Sequence, residues 1–213
     1  MRDFPIFTTD YGVSSLVLKE IPYKKQAFIY IRDVQEGHLE EHLAECISFC
    51  RMAGAEFVYA AGWDALHTFP LYTQVWEMRC TAVSDQAHTA SLFPVTEETV
   101  ARWRGIYNDR MAGVDNAATL EARDEKRILD SGTYFVHRDG QLLGIGWMDD
   151  TSLLAMASTV PGEGRTVLSA LLSLAEGETV TLEVASTNIR AIRLYEDFGF
   201  LKTKELSRWY RVG

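Results

Sequence analysis

The sequence predicts an α/β protein with a mixed sheet flanked by helices, and three observations indicate this class. Segments rich in β-branched and aromatic residues alternate with segments whose apolar residues recur at helical spacing. Three consecutive strand candidates are joined by Asp139-Gly140 and Asp149-Asp150, which favour hairpins and therefore an antiparallel meander. A Gly-containing turn, a helix, a strand, a helix and a last strand then follow, an alternation typical of α/β folds.

The sequence of the N-terminal part predicts two strands, then one helix, then two more strands. The strands cover residues 13–21, 27–34, 56–60 and 73–81, and the helix covers residues 38–52. At about 100° per residue, one apolar stripe of this helix contains Leu39, Leu43, Cys46, Ile47 and Cys50. Gly54 is a typical helix stop.

The C-terminal part begins after a polar, aperiodic stretch at residues 82–96, which predicts a linker or crossover. Thr96, followed by two glutamates, is a helix-start signal. The predicted helices are 96–112, 120–130, 165–175 and 188–198, and the predicted strands are 133–137, 141–148, 153–160, 180–186 and 201–212.

Charge and composition restrict the class of partner. The formal net charge is −9 with a pI near 5.1, and no basic run is present, which argues against nucleic acid and anionic membranes as partners. No apolar stretch approaches the ~20 residues that cross a bilayer, and the first residues carry no apolar signal segment. The three cysteines form no disulfide framework. We therefore expect a cytoplasmic protein.

A metal site is one interpretation of the helix at 38–52, where His38, His42, Cys46 and Cys50 recur every four residues. The helical wheel opposes it, because both cysteines fall within the apolar stripe while His38 lies ~80–120° away. Small buried thiols are common core residues. We expect no metal.

The most specific motif is LEVASTNIRAIRLYEDFGF, residues 182–200. A strand ends at Asn188, which can cap the next helix and offer its amide to a ligand. Ala191, Leu194, Tyr195 and Phe198 form the buried stripe of that helix, and Gly199 ends it. This segment resembles the last motif of the GNAT N-acetyltransferase superfamily, and the order of elements agrees over about residues 96–212.

The resemblance implies a GNAT fold in which the fourth and fifth strands splay apart and hold acetyl-CoA. A strand that runs into Pro161-Gly162-Glu163-Gly164 and then a helix is, by itself, either an ordinary turn or an anion site. The family pattern has Arg or Gln where Thr159 stands, and Pro161 lacks a backbone donor. Arg165 is therefore a candidate cofactor contact in a modified form of the loop. The implied cofactor-binding residues are Ala157, Ser158, Thr159, Gly162, Gly164, Arg165, Thr166 and Asn188.

The resemblance also implies a catalytic role for Tyr195, as the acid that protonates the departing CoA thiolate. The alternative is a core tyrosine on the apolar stripe of its helix. A base for the amine has three candidates, Glu183, Asp149 and Asp150, and the sequence does not choose among them. Four residues near the first two C-terminal helices are expected to contact the acceptor substrate, on position alone: Tyr107, Asn108, Arg110 and Asn116.

The N-terminal part resembles a degenerate half of the same fold, because residues 34–66 repeat the order strand, Gly turn, helix, strand of residues 160–192. We predict an N-terminal subdomain at 1–84 that packs on the other domain, a linker at 85–95 and a GNAT domain at 96–213. The implied reaction moves acetyl from acetyl-CoA to a primary amine of a small molecule or peptide. The alternatives are a catalytically weak CoA-binding or sensing module and a scaffold that has lost the ligand. The sequence does not indicate the oligomeric state.

Overall fold

The computed structural model describes residues 5–81 and 89–213. The chain divides into two compact units, Met1–Val75 with Glu205–Gly213, and Trp76–Lys204. The strands are β1 (Ile6–Thr8), β2 (Gly12–Val17), β3 (Gln26–Val34), β4 (Phe57–Ala61), β5 (Leu71–Cys80), β6 (Ser91–Pro94), β7 (Gly132–Arg138), β8 (Gln141–Asp149), β9 (Ser152–Ser158), β10 (Val180–Ala185) and β11 (Leu201–Arg211). The helices are α1 (Ile21–Lys24), α2 (Leu39–Met52), α3 (Val100–Met111), α4 (Glu125–Leu129), α5 (Gly164–Leu172) and α6 (Ile189–Asp197).

The first unit orders its strands β1-β2-β3-β4-β11. β3 and β4 are parallel over five residue pairs, from Gln26↔Phe57 to Tyr30↔Ala61, and α2 connects them. The predicted stripe of α2 lies against this sheet, where Leu43, Cys46 and Cys50 are buried in one core cluster. The C-terminal segment completes this core with Tyr210, which pairs with Ala60 on β4.

His42 is fully buried in this unit and serves as a polar link between α2 and the β1–β2 hairpin. Thr9 Oγ1 accepts the N–H groups of Tyr11 and Gly12, so its own proton is donated to His42 Nδ1 at 2.8 Å. The Nε2–H of His42 therefore donates to Ser14 Oγ at 2.7 Å. Both ring nitrogens are occupied, and the described residues contain no cluster that could hold a metal ion.

The second unit orders its strands β5-β10-β9-β8-β7-β6. α5 covers one face of this sheet, and two glycines of β8 allow the close approach. A Cβ on Gly146 would lie 2.2 Å from Leu171 Cδ2, and a Cβ on Gly144 would lie 2.7 Å from Val167 Cγ2. The other face packs on α3 through a cluster that includes Trp103 and Trp147.

The mixed α/β class is confirmed, and four element predictions need correction. The strand expected at 13–21 ends at Val17, because Pro22 lies in the first turn of α1. Part of the expected linker forms β6, which pairs with β7, while residues 82–88 of it lie outside the described residues. The helix expected at 120–130 is a 3₁₀ turn, Ala122–Asp124, followed by the five-residue α4. α3 begins at Val100 with Thr99 at its cap, while the Thr96 carbonyl accepts the Val100 N–H.

The helices in the described ranges are all too short or too polar to cross a membrane.

Candidate functional site

A gap opens between β9 and β10 in the second unit. The two strands are parallel, but they pair only at Thr181↔Ser152 and Leu182↔Leu153. Directly after this point β9 contains a bulge, because Trp147 and Met148 of β8 face Ala155 and Leu153, which leaves Leu154 as the extra residue. Beyond Leu153 no described strand pairs with this edge of β9. This divergence agrees with the splayed fourth and fifth strands that the sequence led us to expect.

The register of β9 decides which backbone groups face the gap. Thr159 donates its N–H to the Leu143 carbonyl on the β8 side, and the Ala157 carbonyl lies beside Gly144 of β8. Because N–H and C=O groups alternate in direction along a strand, those of Met156 and Ser158 face the open edge. The implied roles of Ala157, Ser158 and Thr159 in cofactor binding stay a prediction. On this geometry Ser158, and next to them Met156, have backbone groups that face the open edge.

A glycine loop leads from β9 into α5 at the open end of the gap. Gly162 has φ of +88°, a conformation that favours glycine. The first backbone bond of the helix runs from Val167 N–H to the Glu163 carbonyl. The N–H groups of Gly162, Gly164, Arg165 and Thr166 have no acceptor among residues 5–81 and 89–213. Four free donors at a helix N-terminus can bind a phosphate or pyrophosphate anion.

Glu163 places a carboxylate within this loop. Its Oε1 accepts from Arg138 Nη2 at 2.5 Å and its Oε2 accepts from Thr166 Oγ1 at 2.7 Å. These hydrogen bonds, with Thr166 as the larger cause, lower the pKa of Glu163, so it carries a negative charge at neutral pH. The carboxylate competes with any bound anion, whereas Arg138 could neutralise one.

Two further predicted residues, Arg165 and Asn188, make contacts at opposite ends of α6. Arg165 binds Asp197 of α6 at 2.7 Å and lies over the ring of Phe198, so its guanidinium is engaged within the protein. Asn188 caps α6, as expected, by accepting the Ala191 N–H on Oδ1 at 3.2 Å. A Cβ on Gly164 would lie 3.5 Å from Leu194, which shows how closely the glycine loop approaches α6.

Tyr195 lies on the buried side of α6 and is only 9% exposed. Its ring packs against Phe200, and its hydroxyl makes no hydrogen bond with any residue that the structure describes. Burial raises the pKa of Tyr195 to about 12. The phenol is therefore protonated at neutral pH and has a free donor, although it is a weaker acid than an ordinary tyrosine.

The predicted acceptor contacts separate into structural and exposed groups. Asn108 accepts from Leu120 N–H and donates to Leu120 O, both at 2.8 Å, so it fixes the segment after α3. Tyr107 is buried and stacks on Trp103. Arg110 donates to the Thr159 carbonyl at 3.3 Å, and Asn116 is exposed with φ of +61°.

The three carboxylates considered as bases lie in different places. Asp149 and Asp150 are exposed in the β8–β9 turn, on the closed side of the gap, and Asp150 has φ of +53°. Glu183 is exposed on β10, one residue beyond the last paired residue, Leu182.

Sequence reasoning missed two groups of this site. The direction of the Met156 backbone groups depends on the pairing of β9 with β8, and nothing in the sequence of β9 reveals that register. Arg138 reaches a glutamate 25 positions away, which a local pattern does not reveal.

Comparison with known proteins supports the fold. No family profile matches the chain, and no curated protein matches it by sequence. A conserved protein of unknown function from Staphylococcus epidermidis aligns over 99% of this chain and 94% of its own, with a TM-score of 0.58 and 10% identity. A proposed acetyltransferase from Pyrococcus horikoshii aligns over 95% and 69%, with a TM-score of 0.56 and 11% identity. A GCN5-related N-acetyltransferase from Sphaerobacter thermophilus aligns over 94% and 76%, with a TM-score of 0.54 and 13% identity. The chain has the α/β fold of these acetyltransferases.

Proposed function

We propose that this protein is an N-acetyltransferase that moves the acetyl group of acetyl-CoA to a primary amine of a small molecule or peptide. The observation that carries the proposal is the two-pair contact of β9 and β10, which opens into a gap directly before the glycine loop of α5. The unpaired edge of β9 suits the pantetheine amides of acetyl-CoA, and the glycine loop suits its pyrophosphate. The three free, buried cysteines suit a reducing cytoplasm.

The residues that would hold acetyl-CoA follow from the directions of their free groups. The backbone groups of Met156 and Ser158 can pair with the amides of pantetheine, as an additional strand would. The N–H groups of Gly162, Gly164, Arg165 and Thr166 can bind the pyrophosphate, and the Asn188 side-chain amide is a further proposed contact. When bound, acetyl-CoA supplies an activated acyl thioester. Arg138, which pairs with Glu163, would be available to a phosphate oxygen of the bound molecule.

The proposal gives Tyr195 the role of assisting the leaving sulfur. Tyr195 lies seven positions after the cap Asn188, which is about 10 Å along the helix. This distance equals the length of about three residues of a strand. A helix that returns along β10 brings Tyr195 level with Leu182 and Glu183, and Tyr195 and Leu182 do share one core cluster. Its hydroxyl would donate a hydrogen bond to the thiolate that develops as the C–S bond breaks.

Binding and turnover test the proposal separately. We expect acetyl-CoA to bind in calorimetry, and S-acetyl-N-acetylcysteamine, which has the thioester but no phosphates, to bind much more weakly. Gly164→Val places a β-branched side chain in the phosphate loop and should weaken acetyl-CoA binding more than tenfold. An affinity within about twofold of wild type would move the site elsewhere. Thiol release with a panel of amines then tests transfer.

Glu163 favours a second candidate, a CoA-binding or sensing module. A carboxylate inside the phosphate loop opposes tight binding of an anion, and the high pKa of Tyr195 weakens it as an acid. Such a module would bind acetyl-CoA but release no thiol with any amine of the panel.

A further inference from the structure

An arginine without an ion pair lies on the face of the second unit that carries α3. The guanidinium carbon of Arg127 is 4.7 Å from the ring centre of Trp147. The Arg127 side chain makes no hydrogen bond or ion pair within the described part of the chain, whereas nearby Arg104 is paired with Glu125 at 2.9 Å. Arg127 is therefore an exposed cation that is free to bind an anion, in a chain whose net charge is −9.

The ring under this arginine carries a second free donor. Trp147 is 4% exposed, and its Nε1 is a buried nitrogen without an acceptor among the residues that the structure describes. Trp103, which packs edge to face with Trp147, instead donates its indole N–H to the Tyr134 carbonyl at 3.1 Å. A buried donor without an acceptor costs free energy, and an oxygen atom of a bound molecule would remove that cost.

The pairing of β8 with β9 puts these two donors beside the gap. Trp147 faces Ala155, so a single strand separates it from the open edge of β9, and adjacent strands lie ~4.8 Å apart. Ala155 is half-buried and packs in the same cluster as Trp147, on the α3 face. In the proposed binding mode the pantetheine pairs with Ser158 and Met156. The acyl group then comes next along β9, level with Ala155 and with Trp147 behind it.

We propose that Arg127 and the indole N–H of Trp147 bind a carboxylate of the acceptor, so that the acceptor is an amino acid or another amine that carries a carboxylate. This assignment rests on the proposed function. A guanidinium that stacks on a ring by its face keeps its in-plane N–H groups free, and their planar fork matches the two oxygens of a carboxylate. The indole N–H adds one further donor in the same side-chain pair.

These donors predict discrimination against the neutral isostere of a carboxylate. A carboxamide offers one oxygen and one NH₂ group, and the NH₂ group cannot accept from the guanidinium or the indole. A site that hydrogen-bonds its substrate rejects an analogue that leaves its buried donors unpaired. Loss of one hydrogen bond to a charged group corresponds to a kcat/KM about 10- to 100-fold lower.

The test compares amino acids with their carboxamides as acceptors in the thiol-release assay at pH 7.5. Glycine, leucine, phenylalanine and 4-aminobutyrate, each against its amide, vary the side chain and the spacing of amine and carboxylate. We expect wild type to prefer at least one acid over its amide about tenfold or more in kcat/KM. The amide of an α-amino acid is the weaker base and has more free amine at this pH, so the amine itself cannot produce that preference.

Substitutions of the two donors test their assignment. Arg127→Gln should lower kcat/KM for the preferred acid about 10- to 100-fold, and for its amide less than about threefold. In calorimetry with CoA present, the acid should bind Arg127→Gln more weakly by a similar factor. Arg127→Lys keeps the charge without the planar fork and should recover part of the loss. Trp147→Phe also removes core volume, so its readout is the ratio of acid to amide rates, which should fall about threefold or more.

Lys126→Gln is the matched control for the loss of a cation. Lys126 is exposed on α4, next to Arg127 in the sequence, and its side chain has no partner in the described part of the chain. Both the acid and the amide rates of this variant should equal those of wild type. A melting temperature near that of wild type for Arg127→Gln shows that its loss of rate does not come from unfolding.

A wild-type protein that uses acids and amides equally, or that acetylates only amines without a carboxylate, overturns the assignment and leaves the proposed function intact. An acid preference that persists in Arg127→Gln, or an equal loss with acid and amide, overturns it as well. A protein that does not bind acetyl-CoA, or that binds it without releasing thiol to any amine, overturns the proposed function and the assignment together.

Discussion

Tyr195→Phe separates the catalytic and the structural interpretations of the buried tyrosine. The substitution keeps the ring that packs against Phe200 and deletes a hydroxyl that has no partner among the described residues. The ring of Tyr195 is buried, but its hydroxyl is not among the fully buried polar atoms that lack a partner, so removal of the hydroxyl should leave the free energy of unfolding within ~1 kcal/mol of wild type.

The size of the catalytic effect follows from the pKa of Tyr195, which burial raises to about 12. An alkyl thiol has a pKa near 8.5, so complete proton transfer from this phenol to the thiolate is uphill by ~5 kcal/mol. Tyr195 is therefore expected to act as a hydrogen-bond donor. Loss of one donor to a developing negative charge lowers kcat ~10²–10³-fold, or ~2.7–4 kcal/mol. The phenol also stays protonated to about pH 10, so its titration should not reduce the rate below that value.

Single-turnover thiol release measures this effect without interference from product release. We expect Tyr195→Phe to bind acetyl-CoA as wild type does and to react ~100-fold more slowly. A rate within threefold of wild type would remove Tyr195 from the mechanism. A fall in melting temperature at unchanged rate would establish the core-tyrosine interpretation.

Three other predictions address the phosphate loop, the buried histidine and the first unit. Glu163→Gln should increase the affinity for acetyl-CoA several-fold and leave the affinity for S-acetyl-N-acetylcysteamine unchanged. The gain should disappear at high salt, because it is electrostatic. An unchanged calorimetric affinity for acetyl-CoA at low salt would contradict this prediction. Burial, partly offset by Glu45, lowers the pKa of His42 below 6.5, so the unfolded chain protonates first and urea stability should fall by up to ~1.4 kcal/mol per pH unit below pH 6.5. His42→Gln should flatten this dependence, whereas replacement of the exposed His67 should not. Residues 1–84 alone should show no cooperative melt, because they lack Trp209 and Tyr210, each worth ~1.5–3 kcal/mol of burial; a cooperative transition of that fragment would refute this.

Local sequence signals predicted most elements of the fold, because helix stripes and hairpin turns are encoded within a few residues. Asp139-Gly140 illustrates this, since both residues adopt the positive φ that a tight hairpin needs. β6 was missed because its four residues, Ser91–Pro94, become a strand only by pairing with β7. The short α4 was overextended because the apolar spacing at 120–130 continues through a segment that Asn108 holds in another conformation.

Some residues of the candidate site could likewise be predicted from local sequence, while others depend on tertiary structure. The cap Asn188 and the buried Tyr195 could be located from the motif at 182–200, since both depend on the local order of one strand and one helix. The position of Glu183, one residue beyond the last paired residue of β10, required the register of β9 against β10. The carboxylate of Glu163 in the phosphate loop likewise depends on Arg138 of β7, a partner brought in by tertiary structure.

A repeated local order in the two units shows what a cofactor gap requires beyond topology. β2 and β3 are antiparallel and β3 reaches a parallel β4 through α2, just as β8, β9, α5 and β10 follow one another in the second unit. In the first unit the parallel strands stay paired for five residues, so the edge of β3 that corresponds to the open edge of β9 is already occupied. Gly62 follows directly, where a Cβ would lie 2.5 Å from the Ile31 carbonyl, so the chain remains close to β3 instead of diverging. The bulge at Leu154 has a counterpart on β3, where Val13 and Ser14 of β2 face Asp33 and Ile31 and leave Arg32 as the extra residue, but this bulge follows five paired residues of β3 and not two. The order of elements is thus compatible with a degenerate half of the fold, which stays a prediction. An additional ligand chain needs the divergence after Leu153, and that divergence occurs in the second unit.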